Sequence, residues 1–222
     1  MKNSNIDYLE YIMSQMDELG CVDVDNIPNI DLYMDQVTTF MDRSLGNTLR
    51  RKDEDKVLTK TMINNYAKNK LIPAPEKKKY SKEHIISLLF IYYFKGVLTI
   101  SDIQELLSTI ADKSTGKNEK ALLDIYEGIV QVHDMQIDDI KKDIAVKSSR
   151  AREVFGNPNS DKLDKDELFG FISLLSFDVY YRKLIIERLI DNYYTEEAKQ
   201  TKPPKKEKTS ENKKNTEVKK NK

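Results

Sequence analysis

The sequence predicts an all-α fold, and three observations carry this prediction. Glycine and proline are scarce, with seven and six among 222 residues, whereas the good helix formers Leu, Lys and Glu are abundant. Apolar residues recur with helical spacing in successive segments. With 39% hydrophobic and 33% charged residues, the composition is typical of a charge-rich globular protein. We therefore expect packed helices, ending in a helical hairpin and a disordered tail.

The first 30 residues are predicted to form a short amphipathic helix over residues 7–19 and a polar loop. A second helix follows over residues 31–45, where Gly46 and Asn47 stop the apolar pattern. The next segment, residues 50–56, is almost entirely charged and is expected to be an exposed turn.

Three compact helices with clear end signals come next. Thr59 is a predicted N-cap for a helix that runs to residue 70 and ends before Pro73. Ser81 opens a strongly apolar helix that runs to Phe94. We expect Ser101 and Gln104 to form the capping box of a third helix over residues 102–111. The basic connection over residues 71–80 lacks a helical period and is expected to be extended.

The C-terminal half reads as two long helices and a tail. The first covers residues 119–155, with a break expected near residues 146–149. The second covers residues 164–194 and is apolar on more than one face, so it needs cover from a helical hairpin or a second subunit. Residues 198–222 are rich in Lys, Glu, Asn and Thr and lack aromatic residues, which predicts disorder.

Charge is separated into blocks although the formal net charge is zero. Residues 1–49 hold nine acidic and two basic residues, whereas residues 50–82 hold eleven basic and four acidic ones. Residues 83–197 are again acidic overall, and residues 198–222 are basic. A basic block inside a neutral chain attracts polyanions locally, which favours a nucleic-acid partner.

The helix at 59–70 and the basic connection after it together suggest a DNA-binding surface. Leu58, Ile63 and Tyr66 share its apolar face, and the other face is polar without being acidic. Asn side chains match the exposed edge of adenine, while Lys and Thr hold phosphates. Extended basic segments grip the DNA backbone or enter the minor groove. The predicted DNA-binding residues are Thr59, Lys60, Thr61, Asn64, Asn65, Lys68, Lys77, Lys78 and Lys79.

The order of these features resembles the DNA-binding domain of the MerR family. The resemblance runs through Met62 to Pro73, continues in Lys77-Lys-Lys-Tyr80 and ends in Phe94 to Leu107. Tyr66 stands where that family has a tyrosine, and Leu71-Ile72-Pro73 resembles the exit of its recognition helix. The stretch from Leu58 to Tyr80 is still more similar to DUF1836, a family of uncharacterised, MerR-like bacterial proteins found mainly in Firmicutes.

The resemblance implies a MerR-like winged helix-turn-helix domain over residues 31–112, with a recognition helix at 59–70 and a wing at 73–80. Residues 113–197 would then be a C-terminal helical hairpin for dimerisation or effector binding. Because MerR-like proteins pair through a C-terminal helix, a homodimer on double-stranded DNA is expected. Two positions depart from the pattern, since Asn64 and Lys78 stand where arginines are typical.

Other kinds of site have little support in the sequence. The loop from Asn157 to Glu167 lacks the ligand spacing of a calcium loop, and His84 and His133 lack partner ligands. Cys21 is the single cysteine, and no glycine-rich phosphate loop is present. We therefore expect no enzyme, no cofactor and no metal. No apolar run is long enough to cross a bilayer, and the N-terminus does not resemble a signal peptide, which predicts a cytoplasmic protein without a membrane partner.

The sequence therefore predicts a DNA-binding transcriptional regulator. The alternative is a protein-interaction adaptor without catalytic activity, whose helix-turn-helix no longer binds DNA and whose apolar C-terminal helix carries the function. An effector pocket in the C-terminal hairpin is a third hypothesis.

Overall fold

The structure is a computed structural model that describes residues 5–52, 54–114, 119–157 and 164–194. Within these ranges it is mostly helical, which confirms the all-α prediction in its coarse form. The α-helices are α1 (Asn5–Gln15), α2 (Met34–Leu45), α3 (Lys60–Lys68), α4 (Lys82–Phe94), α5 (Ile100–Ser114), α6 (Glu119–Phe155) and α7 (Lys165–Leu189). Short 3₁₀ turns follow α1 and α2, and a π-helical turn, Ile190–Tyr194, follows α7.

Two strands of two residues each join distant parts of the chain. β1 (Leu32–Tyr33) pairs antiparallel with β2 (Lys79–Tyr80), so that Leu32 faces Tyr80 and Tyr33 faces Lys79. The ribbon takes up residues that the sequence assigned to the start of the second helix. That helix begins at Met34 because the Tyr33 backbone N–H donates to the side chain of Gln36, 2.9 Å away, which caps it.

A single buried cluster links α2, α3, α4 and α5 with the loop before β1. At its centre lies α4, whose residues from His84 to Ile91 are all buried. The cluster continues past residue 112 into α6, because Tyr126 is buried against Phe90, with ring centroids 5.5 Å apart. The Tyr126 hydroxyl donates to the carbonyl of Val22 over 2.7 Å and so fixes α6 to the N-terminal loop.

Two details of the predicted helices need correction. The cap of α5 is Thr99 with Asp102, because the Thr99 N–H donates to the Asp102 carboxylate and the Asp102 N–H donates to the Thr99 hydroxyl. Ser101, which was expected to cap this helix, lies within its first turn. The expected break near residues 146–149 is absent, and α6 runs unbroken through that segment. Asp164 is the N-cap of α7 and accepts from the Glu167 N–H at 2.8 Å.

The hairpin of α6 and α7 packs tightly near its turn. A β-carbon at Gly170 would overlap the Phe155 ring, so any larger residue would force that ring to move. Farther along, Lys147 pairs with Asp143 and lies 3.7 Å from Asp178 of α7. The Ile190–Tyr194 turn then contacts α5, which joins the end of the hairpin to the helical core.

Some sequence predictions lie outside the described residues. These are the tail over residues 198–222 and most of the loop that was weighed as a calcium site. Among the described residues, no helix has both the length and the apolar character that a bilayer span requires.

Candidate nucleic-acid interface

The sequence of α3 places polar and apolar side chains on opposite faces. Thr59 caps the helix, since its hydroxyl accepts from the Met62 N–H at 3.1 Å. Ile63 and Tyr66 are buried in the core, and burial raises the pKa of the Tyr66 hydroxyl, which stays neutral. The predicted polar face is exposed: Lys60, Thr61, Asn64, Asn65 and Lys68.

The end of α3 is an αL C-cap of the Schellman type. The Lys70 N–H donates to the carbonyl of Ala67 at 3.1 Å, and the Leu71 N–H donates to that of Tyr66 at 2.8 Å. Lys70 has a φ of 59°, at the position where glycine is the usual residue. The chain then buries Leu71 and Ile72 before it reaches the wing.

The predicted wing, residues 73–80, contains a tight turn from Glu76 to Lys79 that leads into β2. The Lys79 N–H donates to the Glu76 carbonyl over 2.8 Å, and the two central residues, Lys77 and Lys78, have φ values of 48° and 65°. Two central residues in this region correspond to a type I′ turn, which normally carries Asn and Gly. Lys77 and Lys78 are exposed, whereas Tyr80 is buried and anchors the strand.

Lysine at these positions is energetically unfavourable. In the described ranges, Lys70, Lys77 and Lys78 are the residues other than glycine that have a positive φ. Each such residue costs about 1–2 kcal/mol because its β-carbon crowds the backbone. Strain of this kind is a reason to look for a function that needs the side chain. All three strained residues carry a positive charge, and they lie at the exit of α3 and at the tip of the wing.

The predicted lysines differ in whether their ammonium groups contact a partner within the described part of the chain. Lys60 forms an exposed ion pair with Asp35, and the Lys79 ammonium lies over the Tyr33 ring, 5.3 Å from its centroid. Lys79 is also half-buried. By contrast, no ion pair in the described part of the chain involves Lys68, Lys70, Lys77 or Lys78. These four ammonium groups are therefore available to an external anion.

Contacts around the start of α2 bring α3 and the wing together. Lys60, at the first turn of α3, reaches Asp35 in the first turn of α2. Tyr33, two residues before Asp35, receives Lys79 on its ring and pairs with it across the ribbon. The first turn of α3 and the base of the basic turn thus border the same end of α2.

Lys95 positions α3 from a distance. Its ammonium donates to the carbonyl of Val57 at 2.9 Å and lies 4.7 Å from the centroid of the Tyr92 ring. Tyr92 in turn hydrogen-bonds to Thr48 in the turn after α2. Partial burial lowers the pKa of Lys95. This network helps to hold the connection from α2 to α3.

Three residues were not identified from the sequence. Lys70 belongs to this surface, and Tyr33 and Lys95 support it. A signal for Lys70 was present, because a basic residue stands where a helix C-cap usually has glycine. No local pattern marks Tyr33 or Lys95, since their partners are far away in the sequence.

His84, which was considered as a metal ligand, belongs to the cap of α4. His84 is buried, and its Nδ1 accepts from the Ser81 N–H at 3.1 Å, which makes it part of the α4 cap. Desolvation by burial lowers the pKa of His84, against the opposing effects of the Glu83 carboxylate and of the Pro73 and Ala74 carbonyls. Among the residues that the structure describes, no group of three or more His, Cys, Asp and Glu side chains could hold a metal.

Comparison with known proteins gives one match. Residues 22–129 match a family described as a domain of unknown function, DUF1836. No curated protein and no solved structure gives a significant match. The matched segment contains the whole candidate interface and the buried first turns of α6. The match supports the assignment of this segment to the DUF1836 family.

Proposed function

We propose that residues 31–112 act as a MerR-like winged helix-turn-helix that binds double-stranded DNA, and that the protein regulates transcription in the cytoplasm. The observation that supports this most is the choice of lysine at Lys70, Lys77 and Lys78, where backbone strain favours glycine. A surface that keeps charge at a cost in stability has a use for that charge. In this role the protein needs no cofactor and catalyses no reaction.

In the proposed complex, α3 enters the major groove with its polar face towards the bases. Asn64 and Asn65 are exposed and can each present a donor and an acceptor to adenine. Lys68 and Lys70, at the end of the helix, and Lys77 and Lys78, on the wing, contact phosphates. Lys60 exchanges Asp35 for a phosphate, which is a small cost for an exposed ion pair.

Replacing Lys77 and Lys78 together by glycine tests the proposal without damaging the turn. Glycine accepts a positive φ and relieves about 1–2 kcal/mol of strain at each position, against an entropic cost of roughly 0.5–1 kcal/mol each. The free energy of unfolding should therefore stay the same or rise by up to ~3 kcal/mol. DNA affinity should fall, and the slope of log affinity against log salt should become shallower by roughly two, because each phosphate contact contributes about 0.9. Fluorescence anisotropy with a labelled duplex over a salt series measures both quantities.

A matched control removes the same charge elsewhere. Lys142 and Lys165 are exposed residues of the C-terminal hairpin, and their joint replacement by alanine changes the net charge equally and keeps both helices. This control should leave the salt slope unchanged. If the control and the wing variant weaken binding to the same extent, or if neither does, the wing is not a DNA contact.

The same assay tests the recognition helix. Asn64→Ala and Asn65→Ala should narrow the difference in affinity between preferred and random duplexes, by about 1–3 kcal/mol for each lost base contact. Binding to random duplex should hardly change, since neither side chain carries charge. If both variants keep the wild-type preference for one duplex over random duplex, α3 does not read bases in the groove.

A protein-interaction adaptor is the second candidate, and the exposed apolar residues of α7 favour it. Phe169, Phe177 and Tyr193 are all more than half exposed. An adaptor would not retard a random duplex in a low-salt gel shift, whereas the proposed regulator would. An effector bound by the hairpin would reveal itself as thermal stabilisation by a metabolite pool.

A further inference from the structure

His84 lies where the two ends of the predicted wing meet the start of α4. The wing, residues 73–80, leaves the core after Ile72 and returns to it at Tyr80, and both of these residues are buried. The next residue, Ser81, is the N-cap of α4, and His84 occupies the third position of that helix. Because His84 is only 8% exposed, its ring lies in the interior beneath the wing's two ends.

One ring nitrogen holds the C-terminal end of the wing. Nδ1 of His84 accepts from the Ser81 N–H at 3.1 Å and lies 2.8 Å from the Ser81 hydroxyl. The imidazole also meets the Tyr80 ring edge-on, with the ring centroids 5.6 Å apart. Tyr80 in turn pairs with Leu32 across the ribbon of β1 and β2. These contacts fix the chain at the point where the wing ends.

The other ring nitrogen is available to the beginning of the wing. Because Nδ1 accepts a hydrogen bond, the neutral ring carries its proton on Nε2. Nε2 is buried and has no hydrogen-bond partner among the described residues. The carbonyls of Pro73 and Ala74 lie beside the ring and favour its protonated form. A buried donor is costly when it stays unpaired, and a small shift of this exposed segment brings a carbonyl to it.

We infer that His84 is a positioning residue for the wing, because a single imidazole bonds the residue that ends the wing and faces the residues that begin it. Between these two points the side chains of Pro73, Ala74, Glu76, Lys77 and Lys78 are exposed, so they add little to the position of the segment. The position of the wing is therefore set at its base, where the ring lies.

In DNA binding, a positioning residue changes affinity without contacting the ligand. This consequence rests on the proposed function, whereas the position of the wing can be measured without DNA. With the base released, Lys77 and Lys78 still reach phosphates, but the segment must be ordered on binding, which lowers affinity. The number of phosphate contacts stays the same, and with it the slope of log affinity against log salt.

Protonation of His84 should release one end of the wing. A protonated Nδ1 donates and no longer accepts from the Ser81 N–H. The titratable side chains on the elements around the ring are Asp31 before β1, Tyr80 of β2, and Lys82 and Glu83 of α4. Asp31 and Glu83 raise the pKa of His84, but burial outweighs them and lowers it below the ordinary value. The wing is therefore held at neutral pH and released in acid.

Trypsin cleavage of the full chain in the absence of DNA tests the inference. The wing offers cleavage sites after Lys77 and Lys78, and the exposed turn after α2 offers a reference site after Arg51. Proteases cut segments that have opened locally, so the ratio of wing to reference cleavage reports how often the wing opens. His84→Leu removes both ring nitrogens and should raise this ratio about 10-fold. A folded variant with the wild-type ratio would show that His84 does not position the wing.

His84→Gln is the conservative variant that should restore the wing. Glutamine at this position of a capping box accepts from the N-cap N–H, and its amide also offers a donor to the beginning of the wing. The cleavage ratio should therefore stay within about twofold of the wild type. A ratio as high as that of His84→Leu would contradict the inference.

Ile91→Ala controls for a general loss of stability. Ile91 is fully buried in α4, about two turns from His84. Its truncation should lower the midpoint of thermal unfolding and leave the cleavage ratio unchanged. If Ile91→Ala raises the ratio as much as His84→Leu does, the wing responds to stability in general and the inference is wrong.

The same ratio can be followed with pH in the unmodified protein. From about pH 8 to about pH 5 the wild-type ratio should rise, whereas that of His84→Gln should stay level, since glutamine does not titrate. Equal rises in both proteins would exclude His84 as the group that releases the wing.

Binding of a labelled duplex then separates this inference from the proposed function. His84→Leu should lower the affinity severalfold and keep the wild-type salt slope, unlike the replacement of Lys77 and Lys78 by glycine. If the cleavage results hold and the wild type binds no duplex, the role of His84 stands and the proposed function fails. If the wild type binds but the cleavage ratio ignores His84, only the present inference fails.

Discussion

Lysine is an unusual residue for a left-handed backbone, and three lysines of this chain adopt one. Lys70 closes α3, while Lys77 and Lys78 form the tip of the wing. A lysine side chain in these positions gives the turn no stability that glycine would not give. What it adds is an ammonium group on a backbone held by hydrogen bonds at Ala67, Tyr66 and Glu76. The backbone anchor of each lysine is therefore fixed, while its flexible side chain lets the ammonium group reach an external anion.

His84 makes the stability of the domain depend on pH. Burial lowers its pKa below the ordinary value of 6.5, so the unfolded chain binds the proton more readily than the folded one. Protonation of Nδ1 also removes the acceptor of the Ser81 N–H at the α4 cap. The stabilising contribution is complete above pH 6.5 and is lost as the pH falls from there through the lowered pKa.

Urea unfolding between pH 5 and 8, followed by circular dichroism, measures this contribution. His84→Gln keeps an acceptor without titrating in this range, so its stability should fall less towards pH 5 than that of the wild type. If both proteins lose the same stability, His84 is not the group responsible.

At the scale of the elements, a part-buried hydrogen bond helps to hold the connection between α2 and α3. Lys95 of α4 donates to the Val57 carbonyl, directly before Leu58 and the Thr59 cap. Because Val57 is fully buried, its carbonyl has little access to water. A residue that has no part in the proposed DNA contact thus helps to hold the chain directly before α3.

Lys95→Met tests this role because methionine keeps the length and packing of the side chain. We expect a loss of about 1–3 kcal/mol in the free energy of unfolding, the cost of an unpaired buried carbonyl. Lys142→Met, at an exposed lysine of α6, should stay within roughly 0.5 kcal/mol of the wild type. If the two variants are equally stable in urea unfolding, the hydrogen bond from Lys95 to Val57 does not stabilise the fold.

At the scale of the whole molecule, the buried core extends past residue 112 into the first turns of α6. Leu122, Leu123 and Tyr126 of α6 pack against the main cluster, and the Tyr126 hydroxyl bonds to Val22. Burial raises the pKa of that hydroxyl, so it remains a donor at every physiological pH. The segment that matches the family model, residues 22–129, ends just after this contact.

A pair of fragments tests where the stable unit ends. A fragment of residues 20–112 should have a markedly lower midpoint of thermal unfolding than one of residues 20–130, because it lacks the buried Tyr126. Loss of a buried aromatic side chain typically costs about 3–5 kcal/mol. Both fragments lack α7, so the comparison isolates the first turns of α6. Equal midpoints would show that the first turns of α6 do not stabilise the core.

Local signals in the sequence predicted much of the fold. Thr59 and Ser81 were identified as caps because a cap depends on a few adjacent residues. The long helices at 119–155 and 164–194 followed from apolar periodicity. The cap of α5 was misplaced by two residues, since Thr99 and Ser101 offer similar hydroxyls and only the position of Asp102 distinguishes them. The two-residue strands escaped prediction because their pairing joins residues about fifty positions apart.

The sequence alone determined the helices, the polar face of α3 and the basic segment after it, because each rests on residues near one another in the chain. The tertiary structure decided which of these lysine ammonium groups have a partner within the described chain and which do not. It paired Lys60 with Asp35, placed Lys79 on Tyr33 and left Lys68, Lys70, Lys77 and Lys78 without ion pairs among the described residues. It also decided which apolar side chains of α7 stay exposed, among them Phe169, Phe177 and Tyr193. Long-range packing sets burial and ion pairing, and no local pattern encodes either one.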